Sequence, residues 1–188
     1  MLPAIRRTLI VAGACLRLVV AAPTVLAQDT PVFPHVRAVS GDGQAFIREA
    51  TERSPTILAL VDRLGQSDVV VYVRMQAFSS EALDGRLAVL SASGGIRYLL
   101  VELACGRPRV VQIATLGHEL HHAVEVADEP SVVSGRTLAS LYARIGTETR
   151  TAVGELTFET GAARDVATRV RRELLHPTGA RSTEWNSR

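Results

Sequence analysis

The chain is short of cysteine, has no excess of charge once its N-terminus is set aside, and carries no internal repeat. It has two cysteines in 188 residues, Cys15 and Cys105. The first lies in an N-terminal segment that reads as a removable signal, so what remains has one thiol and no intrachain disulfide. A lone thiol in an oxidising compartment is expected to be buried and inert, and no base partner for a nucleophilic cysteine is evident. Residues 1–27 hold three of the 21 basic residues and no acid, so residues 28–188 carry a formal charge of −1 against +2 for the whole chain. The basic isoelectric point therefore belongs largely to the leader. With no basic stripe elsewhere, nucleic-acid binding is not expected. After the leader, no apolar run has membrane-spanning length.

The leader itself has the parts of an export signal. Arg6 and Arg7 form a positive start, Leu9 to Leu26 is mostly apolar, and Val25-Leu26-Ala27 offers small residues for cleavage before Gln28-Asp29. Arg17 interrupts the apolar run and argues against a permanent membrane anchor. Ala12-Gly13-Ala14-Cys15 is a poor match to a lipoprotein cleavage site. The expectation is export, to the periplasm or the medium, with no membrane attachment after cleavage at Ala27. The remaining 161 residues suit one domain with its own core. Residues 28–42, with Pro31, Pro34 and Gly41, read as an extended lead-in; 43–175 as the domain; and 176–188 as a mobile tail in which Trp185 is incidental.

Within 43–175 the pattern alternates between periods. Helical spacing runs from Ala45-Phe46-Ile47 to Ala50 and again from Pro55 to Leu64. Asp68-Val69-Val70-Val71-Tyr72-Val73-Arg74 is short and β-branched, which suits a strand. Two more strands are expected at 86–90 and 96–103, joined as a hairpin across Ser93-Gly94-Gly95. Pro108 can open a helix at its first turn, and that helix extends to Asp128 before Pro130. Further helices are expected near 137–145 and 160–175.

The chemistry concentrates in Leu116-Gly117-His118-Glu119-Leu120-His121-His122, which contains H-E-x-x-H. Residues four apart share a helix face, with Cβ atoms about 5–6 Å apart, so His118 and His122 can close on one ion at about 2.0–2.1 Å each. Glu119 flanks them and can take a proton from a metal-bound water. On a helical wheel with His118 at zero, His122 falls near 40° and Glu125 near 340°, while Ile113, Leu116, Leu120, Val124 and Ala127 cluster at about 160–240°. The histidines thus have a face separate from the apolar one. His121, near 300°, is read as a polar flank residue rather than a ligand. Gly117 leaves room for a neighbour to pack closely. The plain alternative is a solvated helix face, but three of the chain's five histidines fall within this stretch.

This helix resembles the active-site helix of the zincin metallopeptidases. The metzincin continuation is absent, because Glu125 stands where its glycine would be and Asp128 where its last histidine would be. What remains resembles the gluzincin pattern, which implies a glutamate from a later element as third ligand. Glu159 is the candidate: Glu159-Thr160-Gly161-Ala162 resembles the E-x-x-A string of several gluzincin families. A helical phase also sets Glu159 four residues before Ala163 and seven before Val166, on the buried side. The competing reading is that Glu159 serves only the helix dipole. Glu125 is the rival ligand, although three ligands from one straight helix would struggle to surround an ion; Glu125 or Asp128 is better placed to orient a histidine.

The resemblance implies a small zincin-like α+β domain with a short antiparallel or mixed sheet packed on the active-site helix and further helices. It implies Zn²⁺ held by His118, His122 and Glu159, with Glu119 as general base. The substrate would be a peptide or protein, paired with a sheet-edge strand, either the one at 96–103 or its neighbour. Tyr142 or Arg144 is the candidate to assist the oxyanion. The alternative is an exported, non-enzymatic binding domain with a structural or vestigial zinc site.

Overall fold

The computed structural model describes residues 33–79, 83–150 and 156–176. The expected signal at 1–27, the start of the expected lead-in, the tail from 177 and Trp185 lie outside the described residues. The fold is α+β. Four strands form one mixed sheet in the order β1-β2-β4-β3: β1 (Val36–Ala38), β2 (Val69–Gln76), β3 (Gly85–Ser93) and β4 (Ile96–Ala104). The first two pairings are parallel and β3–β4 is antiparallel. Among the described residues five helices accompany it: α1 (Gly41–Arg53), α2 (Pro55–Gly65), α3 (Arg109–Ala127), α4 (Gly135–Ile145) and α5 (Gly161–Leu175). A separate antiparallel pair, β5 (Thr147–Arg150) and β6 (Leu156–Glu159), joins α4 to α5. The expected lead-in thus differs from what is seen, since it contributes the parallel strand β1 and α1 begins at Gly41.

The strands follow from alternation. Val69, Val71 and Val73 of β2 and Leu99, Val101 and Leu103 of β4 are buried on one face, where they form one core with Ile113, Leu116, Leu120 and Val124 of α3. Each such side chain stabilises the fold by about 1.5–3 kcal/mol when fully buried. The hairpin turns at Gly94 (φ 59°) and Gly95 (φ 77°). Two successive positive φ values are what a two-residue type I′ turn needs, and glycine adopts them without a Cβ penalty. On the other sheet face, Glu102 of β4 is only 2% exposed. It sits between Arg74 of β2 and Arg86 of β3, its cross-strand neighbours, and is paired to both.

Strand β4 lies inside the sheet, so the edge role is open to its neighbour β3 and not to β4 itself. Asp84 O accepts from Ala104 N on the β4 side at 2.8 Å. By the antiparallel alternation, the backbone groups of Gly85 and Leu87 then turn to the open edge.

Helix α3 is the fold's central rod. Pro108 is its N-cap rather than its first helical residue, and Asp128 is its C-cap. Near its C-terminus the buried Arg97 of β4 donates to Val126 O at 2.6 Å, Glu129 O at 2.8 Å and Ala127 O at 3.2 Å. The same guanidinium pairs with Asp68, so end-of-helix carbonyls that lack helical partners are tied to the sheet. In mid-helix, a Cβ at Gly117 would lie 2.9 Å from Val170 Cγ2 of α5 and 3.5 Å from Ile57 Cγ1 of α2. The close approach expected of Gly117 is therefore present, and α5 is the neighbour it admits.

Candidate metal centre

Three ligand-type atoms converge beside the middle of α3. His118 and His122 project from one face of the helix with their Nε2 atoms 3.1 Å apart. Glu159, the last residue of β6, brings Oε1 to 3.2 Å from His118 Nε2 and 3.7 Å from His122 Nε2. Tetrahedral coordination at bond lengths of about 2.0–2.1 Å requires ligand atoms about 3.3–3.4 Å apart. The three observed separations straddle that value. Glu159 Oε1 is also buried without a hydrogen-bond partner. The nearest groups to it are the two imidazole Nε2 atoms, at 3.2 and 3.7 Å. A buried carboxylate oxygen left in that state is costly unless a cation satisfies it. The donor set and its spacing fit a divalent ion.

Glu159 reaches this place by a route other than the expected one. Helix α5 starts at Gly161 with Thr160 as N-cap, its hydroxyl accepting from Ala163 N at 3.2 Å. Glu159 is therefore a strand residue, and the helical count from Ala163 and Val166 does not apply to it. The β5–β6 pair delivers it instead, with Phe158 beside it.

The imidazoles are held from behind. Glu125 Oε2 accepts from His122 Nδ1 at 2.7 Å, and Nε2 is the ring atom that faces the cluster. Glu125 Oε1 accepts from Thr160 Oγ1 at 2.8 Å. Glu125 is thus an orienting residue, and it ties α3 to the start of α5. Asp128, the other acid considered for that role, pairs with Arg63 on the surface. His121 keeps to the flank, its Nε2 3.6 Å from Glu125 Oε1. Tyr142 of α4 packs edge-on against His122, with ring centroids 5.1 Å apart, and stacks on Phe158.

The histidine face is not solvated. Glu119 and His122 are each 5% exposed; β3 lies against Glu119 at Gly85, and Tyr142 of α4 packs on His122. The electrostatics follow from this burial. Burial pushes the Glu119 carboxyl above its ordinary range, against the pull of His122 and His118. Burial alone would depress His122, but its contacts with Glu125 and Glu159 raise it to about 9. Burial alone would raise Glu159, but His118 and His122 bring it down to about 2. Two imidazoles and one carboxylate are therefore poised as a charge-compensated set that a cation can enter by displacing a proton.

Other expectations are corrected. The Tyr142 hydroxyl donates to His122 O at 3.4 Å, and burial raises its pKa far above the ordinary phenol value. Arg144 pairs with Glu129. Arg144 is therefore engaged away from the cluster, whereas Tyr142 lies beside it. Cys105, expected to be buried, is exposed, because it follows the last residue of β4 on the turn into α3. Two residues that matter here escaped sequence reading. Thr160 carried a signal as a helix N-cap residue; Gly85, whose absent side chain makes room beside Glu119, carried none.

Among the described residues, His118, His122 and Glu159 form a group able to hold a metal ion. No helix among the described residues is long and apolar enough to cross a membrane. No protein-family model matches the chain, and comparison with curated proteins and with solved structures likewise yields no match.

Proposed function

We propose that the chain is an exported zinc-dependent hydrolase of the zincin type, acting on peptides. The observation that carries this reading is the triangle of His118 Nε2, His122 Nε2 and Glu159 Oε1, with edges of 3.1, 3.2 and 3.7 Å, set beside the buried carboxylate of Glu119. Three protein ligands leave one position for water or substrate, which is the arrangement of catalytic zinc; structural zinc is closed by a fourth protein ligand. Held there, zinc supplies a Lewis acid that acidifies water and polarises a carbonyl.

The remaining work falls to side chains of this chain. A Glu119 carboxylate oxygen accepts the proton lost by the attacking water and returns it to the departing amine nitrogen. Its burial suits it to that exchange, since a carboxylate pushed upward toward the working pH both accepts and releases a proton readily. Glu125 holds the His122 ring in one orientation, and Thr160 holds Glu125. The open edge of β3 begins beside Glu119 at Gly85, so an extended peptide hydrogen-bonded to that edge would run past the base. The edge strand favours peptides over other acyl substrates.

The test is hydrolysis of a mixed peptide library by zinc-loaded residues 28–188, followed by mass spectrometry, with Glu119→Gln as the comparison. The reading expects cleavage by the wild type, a loss of about 10²–10⁴-fold in Glu119→Gln, and unchanged zinc content. Zinc retained with equal or no cleavage in both proteins would instead favour a non-enzymatic binding domain with a structural zinc site.

A further inference from the structure

Gly85, the first residue of the edge strand β3, lies directly over α3. An ideal Cβ built on it would stand 2.5 Å from Thr115 Cγ2, 2.9 Å from Glu119 Oε1 and 3.2 Å from the Glu102 carbonyl oxygen. Thr115 and Glu119 are one helical turn apart, so β3 crosses the ridge they form. Glycine within a strand gives up packing and costs conformational entropy, which calls for a local reason. Conformation is not that reason. The positive-φ glycines among the described residues are Gly94, Gly95 and Gly106, and Gly85 is not one of them. Its backbone would accept an ordinary residue; the space above it would not.

We infer that Gly85 is a positioning residue for Glu119, one that holds the base in place by lacking a side chain; this rests on the hydrolase reading above. Of the three atoms a Cβ would meet, the Glu102 oxygen belongs to the backbone of an interior strand and Thr115 is β-branched and stiff at χ1. Glu119 Oε1, at the end of a flexible side chain, is the atom that yields most readily, while the tighter contact with Thr115 Cγ2 also requires a small shift of the strand against the helix. A methyl group at position 85 therefore moves the carboxylate off its place beside the ligand triangle. The three atoms nearest to that methyl include none from the triangle of His118, His122 and Glu159. The structure thus separates holding the ion from aiming the base, and assigns the second task in part to the edge strand.

Two measurements test this. The first needs neither metal nor activity: the Tm loss caused by Gly85→Ala is compared in the wild-type chain, in a Glu119→Ala background and in a Thr115→Ser background. The inference expects the loss to shrink when the Glu119 carboxylate is gone, and to shrink further when Thr115 loses its methyl. An equal loss in the wild-type and Glu119→Ala backgrounds would overturn it, because the new methyl would then not be pressing on Glu119. The second is kinetic: zinc-loaded Gly85→Ala is expected to keep its zinc and a KM within about threefold, with kcat lowered by up to about 10²-fold, the cost of misplacing a reacting group by about 1 Å. A wild-type kcat in Gly85→Ala would also overturn it. If the wild type cleaves nothing, the hydrolase reading fails, while the thermal comparison still decides whether Gly85 sets the place of Glu119.

Discussion

Glu125 Oε2 accepts from His122 Nδ1 at 2.7 Å, while the other oxygen of the same carboxylate accepts from Thr160 Oγ1. One acid, three residues along the helix from the histidine, thereby fixes the orientation of a proposed ligand ring. Partners of this kind typically change metal affinity by about 10–100-fold when removed. Glu125→Ala is therefore expected to weaken zinc binding by that factor without abolishing it. Glu125→Gln, whose amide oxygen can still accept from Nδ1, should lose less. Competition against a chelator of known affinity measures both, and an unchanged affinity in Glu125→Ala would remove Glu125 from the orienting role.

Gly117 sets the distance between α3 and α5. A Cβ there would already stand 2.9 Å from Val170 Cγ2, and a larger side chain also meets Ile57 and Val166. Gly117→Leu is expected to destabilise the fold by about 1–3 kcal/mol through overpacking, despite the better helix propensity of leucine. A thermal melt reads this as a fall in Tm. An unchanged or higher Tm would mean that α5 can move away at little cost.

Glu102 controls a part of the acid stability. Burial by itself would raise its pKa, but Arg86 and Arg74 bring it below the ordinary carboxylate value of 4.5. A group depressed in the folded state contributes stability that is in place above its unfolded pKa and is lost as the pH falls through its folded one. Glu102→Gln is thus expected to lower Tm at pH 7, by an amount corresponding to about 1–2 kcal/mol because both arginines are half-exposed. The gap should narrow below pH 4.5 as the wild type loses the same interaction. Melts from pH 3 to 7 check the sign; a gap that widens in acid contradicts it.

The parts of this fold that were legible in the chain are those set by short-range geometry. His118 and His122 share a face because a helix has 3.6 residues per turn, and the same arithmetic set Glu125 beside them. Gly94-Gly95 announced the hairpin because two positive φ values are needed there. Glu159 was legible as a residue but not as a place: it stands at the end of β6, and the delivery of that strand to α3 is a tertiary event with no local periodicity. The same holds for β3 as the edge strand. Strand order depends on which faces pack, and both 86–90 and 96–103 have the composition of either position. Cys105 and Arg144 were assigned by residue type alone, and the structure places each elsewhere.

The central claim is that His118, His122 and Glu159 together hold one zinc ion, and metal content tests it most directly. The chain is purified without added chelator, supplied with zinc, desalted and assayed by elemental analysis as wild type, His118→Ala, Glu159→Ala and Glu119→Gln. The account predicts about one zinc per chain in the wild type and in Glu119→Gln, with zinc lost in the other two because each removes one of three ligands. A wild type that binds no zinc, or a Glu159→Ala chain that keeps its full complement, would contradict it.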